Sequence, residues 1–307
     1  AFNTAVGYQA GISVSTGVYN TLVGGLAGDA LTTGNDNIAV GVNALSTEDA
    51  HGRNVAIGRD ALKLQNAGAD AYNTAVGYVA GANVTTGVKN TLIGGQAGDA
   101  LTIGNNNIAI GHKALSTSVD GDENVAIGYL ALEDYEDGDG NGHNTAVGAR
   151  SQVAATTGEF NTSLGSLAMG SGVTTGDVNT ALGYQAGKAL TSGAANVFVG
   201  GHAGDAITSG GRNVAMGYAA LSTEDAHGRN IAVGHQALTT QNAGADAYNV
   251  AVGYDAGTAM TSGIKNTILG GLAGDALTTG VTNIAIGYDA LSTEDTGAGS
   301  VAIGAFS

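Results

Sequence analysis

One five-residue motif recurs from end to end of the chain: Asn, then Thr, Val or Ile, any residue, an aliphatic residue and Gly. It begins at Asn3, Asn20, Asn37 and Asn54 and continues to Asn283, with Ser300 in the Asn place of an eighteenth copy. Thirteen of the 17 spacings are 17 residues, and the others are 18, 19, 19 and 20. A fixed short period marks a solenoid, in which each unit buries its apolar side only against its neighbours. No linker or composition shift interrupts the array, so residues 1–307 read as one repeat domain.

With the Asn as position one, position four is Val, Ile, Leu or Met in all 18 units, and position five is Gly in all 18. Position eight is Ala in 16, with Ser151 and Ser307 as the exceptions. Alternation along a strand puts positions two and four on one face and position three on the other. The glycine permits the corner that follows. A second apolar point falls at position twelve in some units (Val14, Leu31, Val84, Leu101) and at position nine in others (Leu45, Leu62, Leu115, Leu132). The expected fold is therefore an all-β parallel β-solenoid with coils of about 17 residues, two short strands per coil and a thin aliphatic core. Coils stacked about 4.8 Å apart would give a rod of roughly 80 Å. A left-handed hexapeptide helix needs an aliphatic residue every six positions, and Ile12, Asp29, Ser46 and Lys63 at position ten do not supply it.

Four unit types alternate: one like residues 3–19, a second with G-D-A-L-T-T-G, a third with S-T-E-D-A-H-G and a fourth with a longer loop. The resulting four-coil cassettes span 3–72, 73–143, 179–248 and 249–307, and irregular coils occupy 144–178.

Composition narrows the function. Glycine contributes 53 of 307 residues, and proline, cysteine and tryptophan are absent. Zero cysteine excludes disulfides and thiolate metal sites. A net charge of −16 disfavours nucleic acid and anionic membrane as partners. No apolar run approaches the ~18 residues of a membrane span, so membrane insertion by this segment is not expected.

Ser300-Val301-Ala302-Ile303-Gly304, with Asn54-Val55-Ala56-Ile57-Gly58 and Asn124-Val125-Ala126-Ile127-Gly128, resembles the S-V-A-I-G head repeat of YadA-type trimeric autotransporter adhesins. The N-T-A-V-G-Y-Q-A-G stretch at Asn3, nearly repeated at Asn179, resembles repeats of phage and metagenomic tail-fibre proteins. The resemblance covers essentially the whole chain. It implies a left-handed β-roll, a side-by-side homotrimer and a place in an extracellular fibre on a cell surface or virion, with a host-surface glycan or protein as receptor. Two departures stand out: a unit of 17 residues where the family more often has 14 or so, and no stalk, anchor or chaperone segment. Position three offers a separate motive for trimerisation. Read as pointing outward, it lays a stripe of Ala5, Ala39, Ala56, Leu22 and Leu92 along the solenoid, and packing against another chain would cover it.

Local features are weighed against this frame. The Asn column is expected to form a structural hydrogen-bond ladder. Tyr8, Tyr78, Tyr129, Tyr184, Tyr218, Tyr254 and Tyr288 at position six are either a platform for sugar rings or residues that cover the glycine corner or line a chain interface. Asp137-Gly138-Asp139-Gly140-Asn141-Gly142 matches the first six positions of an EF-hand loop, although Gly148 stands where the terminal Glu belongs. Asp137, Asp139 and Asn141, with Asp120 and Asp122 from the preceding coil, are the candidate calcium ligands; the alternative is a solvated acidic loop. No other cofactor is expected. Glu48, Asp49, His51 and Arg53, repeated as Glu224, Asp225, His227 and Arg229, read as surface charge on a duplicated loop rather than an acid–base pair. No catalytic motif occurs, so no enzymatic activity is expected.

A structural or adhesive fibre is thus the leading expectation. Alternatives are a subunit of an extracellular filament, an ice-binding solenoid and a carbohydrate lyase. The eight threonines at position two make no unbroken array, and a lyase needs larger coils to build a groove. Joining the two ends would make only ten residues, too few for a coil, so the sequence reads as part of a longer fibre.

Overall fold

Every repeat places one three-residue strand in the same place and spends the rest of its length on stacked turns. The computed structural model describes residues 2–136 and 142–307, and among these it is all β with no helix. The chain falls into two compact units, Ala1–Thr157 and Gly158–Ser307.

The first unit carries β1 (Thr4–Val6), β2 (Thr21–Val23), β3 (Ile38–Val40), β4 (Val55–Ile57), β5 (Thr74–Val76), β6 (Thr91–Ile93), β7 (Ile108–Ile110), β8 (Val125–Ile127) and β9 (Thr145–Val147). The second carries β10 (Thr162–Leu164), β11 (Thr180–Leu182), β12 (Val197–Val199), β13 (Val214–Met216), β14 (Ile231–Val233), β15 (Val250–Val252), β16 (Thr267–Leu269), β17 (Ile284–Ile286) and β18 (Val301–Ile303). Within each unit consecutive strands pair in parallel and in strict register, Thr21 against Ile38 and Leu22 against Ala39, for example. Each unit is thus a parallel β-solenoid.

Two sequence expectations are corrected. The first is the number of strands per coil: there is one, not two. Left-handed φ recurs at position seven (Leu26 at 59°, Val79 at 60°) and at position nine (Leu45 at 52°, Gly28 at 54°), and such a backbone cannot extend into a second strand. The turns stack nonetheless. Gly11 N–H donates to Ala27 O at 3.0 Å and Leu26 N–H to Tyr8 O at 2.8 Å, so coil-to-coil pairing continues where the strand stops.

The second correction is the direction of the strand faces. Position three points inward, not outward: Leu22, Ala39, Ala56, Leu92 and Phe198 are fully buried. In the first unit they pack with the alanines of position eight and with leucines of positions nine and twelve such as Leu45 and Leu31, and in the second Phe198 packs in the same way with Leu221 and Leu190. Positions two and four face out. The coil is too narrow for two side chains from one strand, so the single residue between them, small or large, is the one that enters.

The glycine of position five is required twice over. Gly24 has φ of 137°, and a Cβ there would lie 2.4 Å from Gly41 O in the next coil. The same contact recurs down the column, which explains why no other residue occupies it.

Candidate functional site

Three surfaces carry chemistry that the fold does not consume. The first is the outward strand face. Val6, Ile38, Ile57, Ile93 and Ile108 in the first unit are exposed, as are Leu164, Leu182, Met216, Ile231, Val252 and Ile284 in the second. Their exposure runs from 37% to 58%, on a face whose other occupants are largely threonines and valines. The apolar stripe expected of the sequence therefore exists, but it is built of branched aliphatics from positions two and four rather than alanines from position three.

The second surface is the aromatic column. Tyr184, His202, Tyr218, His235 and Tyr254 follow one another with ring centroids 5.1–5.8 Å apart, the last three rings stacked nearly parallel. His112 stacks on Tyr129 in the same way at 5.9 Å. Stacked rings give their faces to each other, leaving edges for solvent. Tyr218 and Tyr288 also lie over Gly201 and Gly271 of the preceding coil, in van der Waals reach of a Cβ placed there. The histidines, which the tyrosine pattern missed, are held by carboxylates: His202 Nδ1 lies 3.0 Å from Asp205 and His235 Nδ1 3.2 Å from Asp255.

The third is the S-T-E-D-A-H-G turn. Surface charge was the expectation, and here the structure differs. Glu48 and Glu224 are fully buried. One carboxylate oxygen of Glu48 accepts the His51 N–H at 3.0 Å and lies 3.6 Å from His51 Nδ1; Glu224 and His227 repeat this at 3.2 and 3.5 Å. The glutamate turns inward because the tight turn leaves a main-chain N–H that only a side chain three residues back can satisfy. Burial raises both carboxyls above the ordinary value, and the bond from the histidine N–H offsets this in part. Arg53 pairs with Asp70 and donates to Tyr72 Oη at 2.8 Å, and Arg229 pairs with Asp246. Those guanidiniums are therefore already engaged.

Of the candidate calcium ligands, Asp137, Asp139 and Asn141 lie outside the described residues. Asp120 and Asp122 are half-buried. Asp122 Oδ1 accepts the Asn105 N–H, the same bond that Asn105 Oδ1 makes to Val88 N–H one coil earlier. That carboxylate serves the backbone of its neighbour. Among the described residues Asp120 and Asp122 belong to no group of three ligand atoms within 4.8 Å.

The hydroxyls of position thirteen are likewise consumed by the fold. Thr32, Thr102, Thr208 and Thr278 donate to the main-chain carbonyls of Asp49, Val119, Asp225 and Asp295 at 2.8–3.0 Å. Among the described residues no helix is long and apolar enough to cross a membrane. No protein-family model matches the chain, and no curated protein is significantly similar to it.

Proposed function

We propose that this chain is a non-enzymatic structural and adhesive rod of an extracellular homotrimeric fibre, a phage tail fibre or a bacterial adhesin head, with left-handed coils packed side by side. The observation that carries this reading is the exposed aliphatic stripe of positions two and four. A water-soluble chain rarely leaves so continuous an apolar strip uncovered, and a second and third copy in the same register offer it a complementary surface. The S-V-A-I-G resemblance points the same way. The position-thirteen hydroxyls spent on coil-to-coil bonds, and the position-two threonines interrupted by Val and Ile, favour a structural role over an ice-binding one. A receptor, glycan or protein, would then meet the loops and ring edges that the assembly leaves outside.

Light scattering on the purified chain tests the reading. The expected solution mass is three times the 29.9 kDa of one chain. A stable monomer at micromolar concentration would remove the fibre proposal.

A further inference from the structure

The buried glutamate turn does more than cap a main-chain N–H. Two turns at the same place in the repeat can be compared with it. Glu294 caps Gly297 N–H at 2.7 Å and Ser118 caps Gly121 N–H at 3.3 Å, both without a histidine. A cap thus needs one oxygen, and a serine suffices. In the turns at 48–51 and 224–227 there is more. Glu48 Oε2 and Glu224 Oε2 are buried without a well-formed hydrogen bond, although the Ala67 and Ala243 N–H groups of the next coil favour the two carboxylates, and His51 Nδ1 and His227 Nδ1 are buried without a hydrogen-bond partner. One ligand atom from each of Glu48, Asp49 and His51 lies within 4.8 Å of the other two, and Glu224, Asp225 and His227 repeat the arrangement in the second unit.

We infer that each of these turns is a site for a divalent transition metal of the zinc type, held by Glu48, Asp49 and His51 and by Glu224, Asp225 and His227. Two carboxylates and one imidazole make a mixed oxygen and nitrogen set, which suits zinc or its first-row neighbours better than calcium, whose ligands are oxygens. Ligands at zinc distances sit about 3.5 Å apart. Rotation of exposed Asp49 and half-buried His51 closes that gap while Glu48 stays fixed by its bond to His51 N–H. A buried carboxylate oxygen without a well-formed hydrogen bond is costly, and a cation satisfies it. The site opens to solvent on the Asp49 side, which leaves a coordination position for water or a side chain of a neighbouring molecule.

The test is titration of the whole chain with zinc chloride by calorimetry near neutral pH. Two strongly bound ions per chain are expected, one after His51→Asn, and none of that class after His51→Asn with His227→Asn. Glu48→Gln keeps an oxygen for the cap and should weaken its own site at least tenfold while circular dichroism stays unchanged. Cobalt substituted for zinc should give visible absorption bands that vanish in the double histidine variant. Wild-type chain that binds no zinc at micromolar concentration overturns the inference, as does a double variant that binds as many ions as wild type.

Discussion

Asparagine at position one is buried in most coils, and at Asn90 it uses both ends of its amide, whereas Asn54, Asn124 and Asn230 use only the oxygen. Asn90 Nδ2 donates to Gly104 O at 2.8 Å across its own coil, and its Oδ1 accepts the Asn107 N–H of the next coil at 2.9 Å. The ladder expected from the sequence is therefore mainly amide to backbone, with amide-to-amide contacts such as Asn107 Nδ2 to Asn90 Oδ1 at 3.2 Å added to it. Asn90→Ala would leave one donor and one acceptor unpaired in the interior and should cost about 2–5 kcal/mol, read from urea unfolding. Asp275 carries the opposite lesson. Its carboxyl is raised above 3.8 first by desolvation and then by Asp289, and its Oδ1 accepts no hydrogen bond among the described residues. The ionised form is thus worse off folded than unfolded. Its favourable contribution is complete below about pH 3.8 and is lost as pH rises through the raised folded value. Asp275→Asn should raise the thermal midpoint at about pH 7 and leave it almost unchanged at about pH 3.

At the scale of one coil, the core is filled by exchange of volume between position three and position nine. Where position three is large, the neighbouring position nine is glycine: Phe198 sits between Gly187 and Gly204, where added Cβ atoms would meet its ring at 2.6 and 2.5 Å. Leu22 lies in the same way between Gly11 and Gly28. In the third and fourth unit types position three is alanine, as at Ala39 and Ala56, and position nine is leucine, Leu45 and Leu62; in the first type both are small, as at Ala75 and Gly81, and Leu62 and Leu92 of the adjacent coils fill the space. Four unit types in fixed order thus set a large side chain beside each small pair. Phe198→Ala should cost about 3–5 kcal/mol, whereas Phe198→Leu should cost under about 1.5 kcal/mol because leucine already fills that place at Leu22 and Leu92. Chemical denaturation of the two variants side by side measures the difference. The fourth unit type uses a further device that periodicity did not reveal: Gln65 and Gln241 are buried at position twelve and accept the Asn73 and Asn249 amides at 2.6 and 3.0 Å.

At the scale of the molecule, the described residues of each unit form nine strands in parallel register and leave an aliphatic strip on the outward face of each unit. Charge cannot cover that strip, because the net charge of −16 is carried by the turns, not by the strands. Ile57→Lys with Ile93→Lys places two cations on it at exposed sites where the fold tolerates them. Light scattering should then report a fall from the assembled mass to that of one chain, with unchanged circular dichroism. An assembly that survives both lysines would move the contact surface to another face.

The amino-acid sequence by itself determined the repeat, the coil length, the glycine corner, the asparagine column and the shift of the inner apolar residue between positions twelve and nine. Each of these is a property of one column, and a column is visible in one dimension. Only the tertiary structure decided which strand face is inside, since alternation separates two faces without naming either. It also reduced the strands to one per coil, because left-handed φ at non-glycine residues such as Leu26 and Leu45 is imposed by stacking and has no sequence mark. The burial of Glu48 and Glu224 was decided there too. A glutamate between threonine and aspartate reads as solvated until the turn around it closes and leaves its second oxygen inside.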